Sequence, residues 1–113
     1  MQEAVKLEFF PKNNKFKRFT KLASLPKQLM RPTAVIAKLP CIAGGYSIVF
    51  LGGIETRENF AYSISNNAYR KLAALPVGHH ITTNVCVNFK DQAIFTFIHD
   101  AKLTIKVAVM DLT

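Results

Sequence analysis

The chain has 113 residues, half of them hydrophobic, with 15 Lys/Arg against seven Asp/Glu and a formal net charge of +8. That length suits one domain, and that apolar content excludes a fully disordered chain. No apolar stretch approaches a membrane-spanning length, no signal segment is expected among the charged first thirty residues, and two cysteines are too few for a disulfide framework.

The charge is uneven. Residues 1–32 hold eight Lys/Arg and two acids, for +6, whereas residues 33–113 hold seven and five, for +2. A basic N-terminal arm (1–32) is therefore expected ahead of a compact β domain (33–113). Residues 4–10 form a short apolar-rich run ended by Pro11 and suit an extra strand. Beyond it, Phe16, Phe19, Leu22 and Leu25 recur every three residues, compatible with a short amphipathic helix between prolines that discourage long regular structure. The arm is expected to be only partly ordered when free.

In the domain, residues 33–39 read as a strand stopped by Pro40, Gly44 and Gly45 as a turn, 46–51 as a strand, and Gly52 and Gly53 as a break or bend. Residues 55–59 are a polar turn and 60–64 a third strand. Ser65 and Asn66 then suit a helix N-cap, and Tyr69, Leu72 and Leu75 give residues 67–75 helical spacing up to Pro76. From 81 to 89 the alternation is clean, with Ile81, Thr83, Val85, Val87 and Phe89 on one side. Lys90, Asp91 and Gln92 signal a hairpin turn. Residues 93–98 and 102–109 are two more strands, and Leu103, Ile105, Val107 and Val109 are expected to be buried opposite a wet, basic face carrying Lys102 and Lys106. Cys41 and Cys86, in apolar strand-like surroundings, read as buried free thiols, which implies a reducing, cytoplasmic setting.

Three features of residues 33–113 resemble an OB-fold, the five-stranded barrel of many single-stranded nucleic-acid-binding proteins. Paired glycines flank the second strand, a helix follows the third, and Leu75-Pro76-Val77-Gly78-His79-His80-Ile81 leads straight into the fourth. The resemblance implies a mainly β domain with one short helix, an OB-like small barrel, which binds single strands on the face of strands two and three and on neighbouring loops. The strand added near the C-terminus departs from that pattern and leaves another small β barrel or a sandwich as the alternative.

Two groups of residues suit binding to an anionic polymer. In the arm, Lys12, Lys15, Lys17, Arg18 and Lys21 surround Phe16 and Phe19, so that cations can neutralise phosphates and rings can stack on bases. The same residues also suit a solvated tail whose phenylalanines dock on the domain. On strands two and three, Tyr46, Phe50, Phe60 and Tyr62 fall on one face by their spacing. Phe50 and Phe60 suit the core, and Tyr46 and Tyr62 an exposed surface. Arg57, Lys102 and Lys106 extend the basic track.

Metal and catalysis find no motif. His79 and His80 are adjacent, His99 is distant, and the cysteines lack C-x-x-C spacing. Nothing locates a nucleophile with its base, and no glycine pair continues into a phosphate-binding loop. The expectation is a non-catalytic protein without cofactor or metal that binds single-stranded nucleic acid, DNA favoured over RNA, with no membrane as partner. The rival is a protein-interaction module, a small β subunit or inhibitor that binds an acidic protein. The ample apolar content adds a homo-oligomer as a further expectation.

Overall fold

The computed structural model describes residues 4–10, 15–28, 32–53, 57–75, 85–99 and 105–113. The described residues form three antiparallel sheets. Strands β1 (Ala4–Phe10) and β2 (Lys15–Leu22) make a hairpin. Strands β3 (Thr33–Lys38), β4 (Tyr46–Leu51), β5 (Asn59–Ser63) and β6 (Ala68–Leu72) make a four-stranded meander, and β7 (Val85–Phe89), β8 (Ala93–His99) and β9 (Ile105–Asp111) a three-stranded one. The pairs His79-His80 and the leader into β7, residues 76–84, lie outside the described residues, as do residues 100–104.

Two sequence expectations are overturned by backbone pairing. The short helix over residues 67–75 is absent, because residues 68–72 instead form β6 and pair with β5 along its whole length. Ser65 and Asn66 lie in the turn 64–67 rather than at a helix start. Asn67 takes a left-handed conformation there (φ 49), which a short amide side chain tolerates. The N–H of Asn66 bonds Ser63 Oγ at 3.3 Å, and the Tyr62 hydroxyl donates to Asn67 Oδ1 at 2.7 Å. The arm helix is absent too: Phe16, Phe19 and Leu22 belong to β2, whose partner strand β1 supplies the backbone hydrogen bonds that an isolated short helix would have to make alone. Its register slips between Glu8 and Phe9, leaving Lys17 as the extra residue of a bulge.

The barrel does not close. The four- and three-stranded sheets pack face to face, and among the described residues no backbone ladder joins them. From the first sheet Ala37, Val49, Leu51 and Ala61 point inward; from the second come Ile94 and, just after β9, Leu112. Side chains link the sheets along one edge. Thr33 Oγ1 meets Cys86 Sγ at 3.2 Å, Asn88 Nδ2 donates to the carbonyl of Ile36 at 2.9 Å, and the Lys38 N–H donates to Asp91 Oδ1 at 3.1 Å. These contacts advance together on both chains, so β7 runs parallel to β3. Asp91 and Asn88 also bond each other twice, at 2.8 and 3.1 Å, which closes the turn of left-handed Lys90 and Asp91 onto the clamp.

The second sheet reverses the expected sense of β9 and turns the apolar side of β7 outward as well. Val85, Val87 and Phe89 are 59, 48 and 49% exposed, and Ile105, Val107 and Val109 are 59, 52 and 58% exposed. The cause lies in β8, where Ile94 and Ile98 are fully buried while Phe97, on the other side, is 40% exposed. Register places Val85 and Val107 opposite Phe97, and Val87 and Val109 opposite Phe95. With a two-residue side-chain period, every residue on that side turns outward together. Inward places go to Cys86, Thr96, Ala108 and Met110.

Two buried polar residues of the first sheet differ in how they are satisfied. Asn59 accepts from the Gly52 N–H at 3.0 Å and donates to the Ala73 carbonyl at 2.6 Å. Gly52 sits at φ 61 with that N–H turned inward, which explains why a glycine follows β4. Ser47 is fully buried, and its hydroxyl has no partner among the described residues. Asn59→Ala is expected to cost about 1–3 kcal/mol by removing the donor to Ala73 C=O from a buried site, while Gly52 N–H keeps its bond to the Glu58 carbonyl at 3.1 Å. Ser47→Ala is expected to raise the melting temperature by a few degrees, since an unsatisfied hydroxyl carries a similar penalty. Thermal unfolding followed by circular dichroism separates the two signs.

Candidate functional site

The residues singled out for binding are distributed as follows. Lys12 and Lys102 lie outside the described residues. Lys15, Phe16, Lys17, Arg18 and Phe19 lie on β2, with Lys21 exposed near its end opposite Val5. Arg57 is exposed just before β5, and Lys106 is exposed on β9 opposite Ile98.

The four rings on β4 and β5 do share a face, because Phe50 pairs with Phe60 and Ile48 with Tyr62. They do not form one open platform. Phe60 and Tyr62 are only 4 and 5% exposed, whereas Tyr46 is 48% exposed and Phe50 half-buried. Tyr62 is therefore corrected from surface to interior. Its ring lies 5.0 Å from that of Tyr69, and its hydroxyl is taken by Asn67. The cover comes from the segment after β2. The Ala23 N–H donates to Asn67 Oδ1 at 3.0 Å, and Lys27 Nζ lies 3.5 Å from Glu58 Oε2. Asn67 and Glu58 flank opposite ends of β5, and the inner side of β5 is already packed, so residues 23–27 with half-buried Leu25 cross its outer side. Docking of the arm thus occurs through this connector.

One end of the first sheet gathers the groups that remain accessible. Lys38 and Tyr46 are register partners at the ends of β3 and β4, and Lys38 Nζ stands 5.2 Å from the Tyr46 ring centroid. The loop 39–45 lies beside them, held by Arg70 donating to the Cys41 carbonyl at 2.6 Å and by Asn66 Nδ2 donating to the Ala43 carbonyl at 3.4 Å. Gly44 (φ 98) presses on Ser65, where an added Cβ would stand 2.5 Å from Oγ. Lys21 approaches the same end, since Ala23 is fixed to Asn67 in the adjoining turn and two residues span at most about 7 Å. The structure places Lys38, absent from the sequence-based set, against Tyr46. Hairpin register is the signal that finds it, because strands joined by loop 39–45 place Lys38 opposite Tyr46. Arg57 lies at the far end of β5, and Lys106 on the other sheet.

Electrostatics distinguishes the remaining titratable groups. Hydrogen bonds from Asn88 and the Lys38 N–H hold the Asp91 carboxyl below its ordinary range, assisted by the Lys38 charge. Asp111 is lowered by Thr113, whose hydroxyl and N–H both donate to it at 2.6 and 2.9 Å. Burial raises the Tyr69 phenol, with Tyr62 adding to the effect. Burial also raises the Cys86 thiol, partly offset by the Thr33 hydrogen bond, and a thiol so disposed is a poor nucleophile. Both cysteines are free thiols, but contrary to the buried reading Cys41 is exposed on loop 39–45 and Cys86 half-buried.

Among the described residues no three His, Cys, Asp or Glu side chains cluster for a metal, and no helix is long and apolar enough to cross a membrane. No protein-family model matches the chain, and no curated protein or solved structure matches it either.

Two outcomes are expected. Tyr62→Ala should cost about 3–5 kcal/mol, as loss of a buried ring does, while Tyr46→Ala should leave the melting temperature within about a degree or two. The lowered Asp91 stabilises the fold above the ordinary carboxylate pKa of about 4, and that contribution disappears as pH falls through its lower folded value. The stability gap between the native chain and Asp91→Ala should therefore narrow on acidification, as read from unfolding curves between neutral and acid pH.

Proposed function

We propose that the chain is a non-catalytic binding protein for single-stranded nucleic acid, DNA favoured over RNA. The observation that carries this reading is how the charges are used. Each of the four described acids is engaged within the chain. Glu8 pairs with Lys6 at 2.9 Å, Glu58 with Lys27 and Lys71 at 3.5 and 3.9 Å, Asp91 accepts from Asn88 and Lys38, and Asp111 accepts from Thr113. In a chain of net charge +8 the cations outnumber the acids that can pair with them, which favours a polyanionic partner.

The contact surface is strand β2, with Lys15, Lys17, Arg18 and Lys21, continued by Lys38 and Tyr46 at the end of the four-stranded sheet. Lysines follow phosphates there, and the exposed Tyr46 ring stacks on a base whose Watson–Crick edge it does not read, so binding tolerates sequence. A second reading, a protein-interaction module, is favoured by the apolar outer face of β7, β8 and β9.

Fluorescence anisotropy with labelled dT and rU oligomers and a duplex control, at low and moderate salt, tests the proposal. Salt-sensitive single-strand binding is expected. Tyr46→Ala should weaken it about tenfold, the order of one stacked base. Lys21→Ala with Lys38→Ala should reduce the salt slope by roughly 1.4, at about 0.7 per lost phosphate contact. Absence of binding at low salt overturns the reading and leaves the interaction module.

A further inference from the structure

The outer face of the three-stranded sheet is apolar in every row from Val85, Phe97 and Val107 to Val87 and Val109. The side chains there are 40–59% exposed. At roughly 150–200 Å² for each fully exposed side chain, the face presents about 600 Å² of apolar surface, the upper end of what a lone soluble chain displays. We infer that this face is the interface of a homodimer, in which two copies pack their β7–β8–β9 sheets together about a twofold axis parallel to the strands.

Area is the first argument. Pairing two such faces removes roughly 1,200 Å² from water, the lower limit of stable, specific interfaces. Charge is the second. Two copies at +8 repel one another over most approaches, but on this side of the sheet residues 85, 87 and 89, 93, 95 and 97, and 105, 107 and 109 include no Lys, Arg, Asp or Glu, and the charge of Asp111 lies at its rim. Association through these positions brings apolar side chains, not like charges, into contact.

The rim supplies the third argument. Lys90 reaches over this face, with Nζ 5.4 Å from the Phe89 ring centroid. Asp111 lies on the same side opposite Ala93. Both stand at the turn end of the sheet, one on the β7 side and one on the β9 side. A twofold axis parallel to the strands carries β7 of one copy over β9 of the other and sets each Lys90 beside the other copy's Asp111. Such a contact is isologous and closes at two copies, with strands within about 30° of alignment as in other sheet-on-sheet packings. The four-stranded sheets, bearing Lys38 and Tyr46, then face away from each other. The dimer does not depend on what those residues bind.

Sedimentation equilibrium of the full chain tests the inference. The native chain should sediment at twice the chain mass. Val87→Glu and Val107→Glu, at positions solvated in the single chain, should sediment as monomers with unchanged circular dichroism. Lys90→Glu should weaken the dimer about tenfold, and adding Asp111→Lys should restore it. The charge pair keeps the test decisive should a Glu variant fail to fold. A native chain that is monomeric overturns the proposal, whether it stays free or co-sediments with neutral phospholipid vesicles, and so does a dimer that survives both Glu substitutions or a charge exchange without restoration.

Discussion

The structure depends on the contact between two sheets, with Val49, Leu51 and Ala61 on one side and Ile94 and Leu112 on the other. Hydrophobic burial of this layer drives the sheets together, and the strand period then propagates its consequences. With Ile94 and Ile98 fully inside, Phe97 must point out, and the valines of β7 and β9 follow through the register. Strand β8 is apolar on both sides, and a sheet with two apolar faces can bury only one against a single neighbour. The other is left for an association beyond the chain.

Edges are handled separately from faces. Unpaired strand edges invite further pairing, and here the edges of β3 and β7 are joined by side chains in place of a ladder. Asn88 and Asp91 spend their polar groups on the Ile36 carbonyl and the Lys38 N–H, so a turn that closes one hairpin also holds the two sheets in register. The same bonds keep Asp91 ionised and occupied, one of the ways in which the described acids are engaged within the chain. Fold and surface charge are linked at that residue.

The basic N-terminal region joins the rest by a related economy. Its connector, residues 23–27, crosses the outer side of β5 and shields Phe60 and Tyr62, fixed by one backbone hydrogen bond and one ion pair. That leaves Tyr46 as the open ring of the set and brings β2 to the end of the sheet where Lys38 stands. Covering two rings thereby defines the position of the third.

Much of the local structure was legible in the sequence. Alternation and punctuating Pro and Gly marked β3, β4, β5 and β8, the polar triplet at 90–92 marked a turn, and spacing placed four rings on one face, since each is a short-range property of a chain with a two-residue period. The sequence also determined the charge excess and its concentration near the N-terminus. Other features required the tertiary structure. Residues 67–75 and 16–25 carry spacing that serves a helix or a strand, and only the pairing partners β5 and β1 decide between them. Whether Tyr62 or Tyr46 is open depends on a connector distant from both in sequence. Which face of β7 and β9 is buried depends on which side of β8 meets the first sheet. Hydrophobicity along a strand shows that a face can be buried, and only the neighbour that arrives determines which face is.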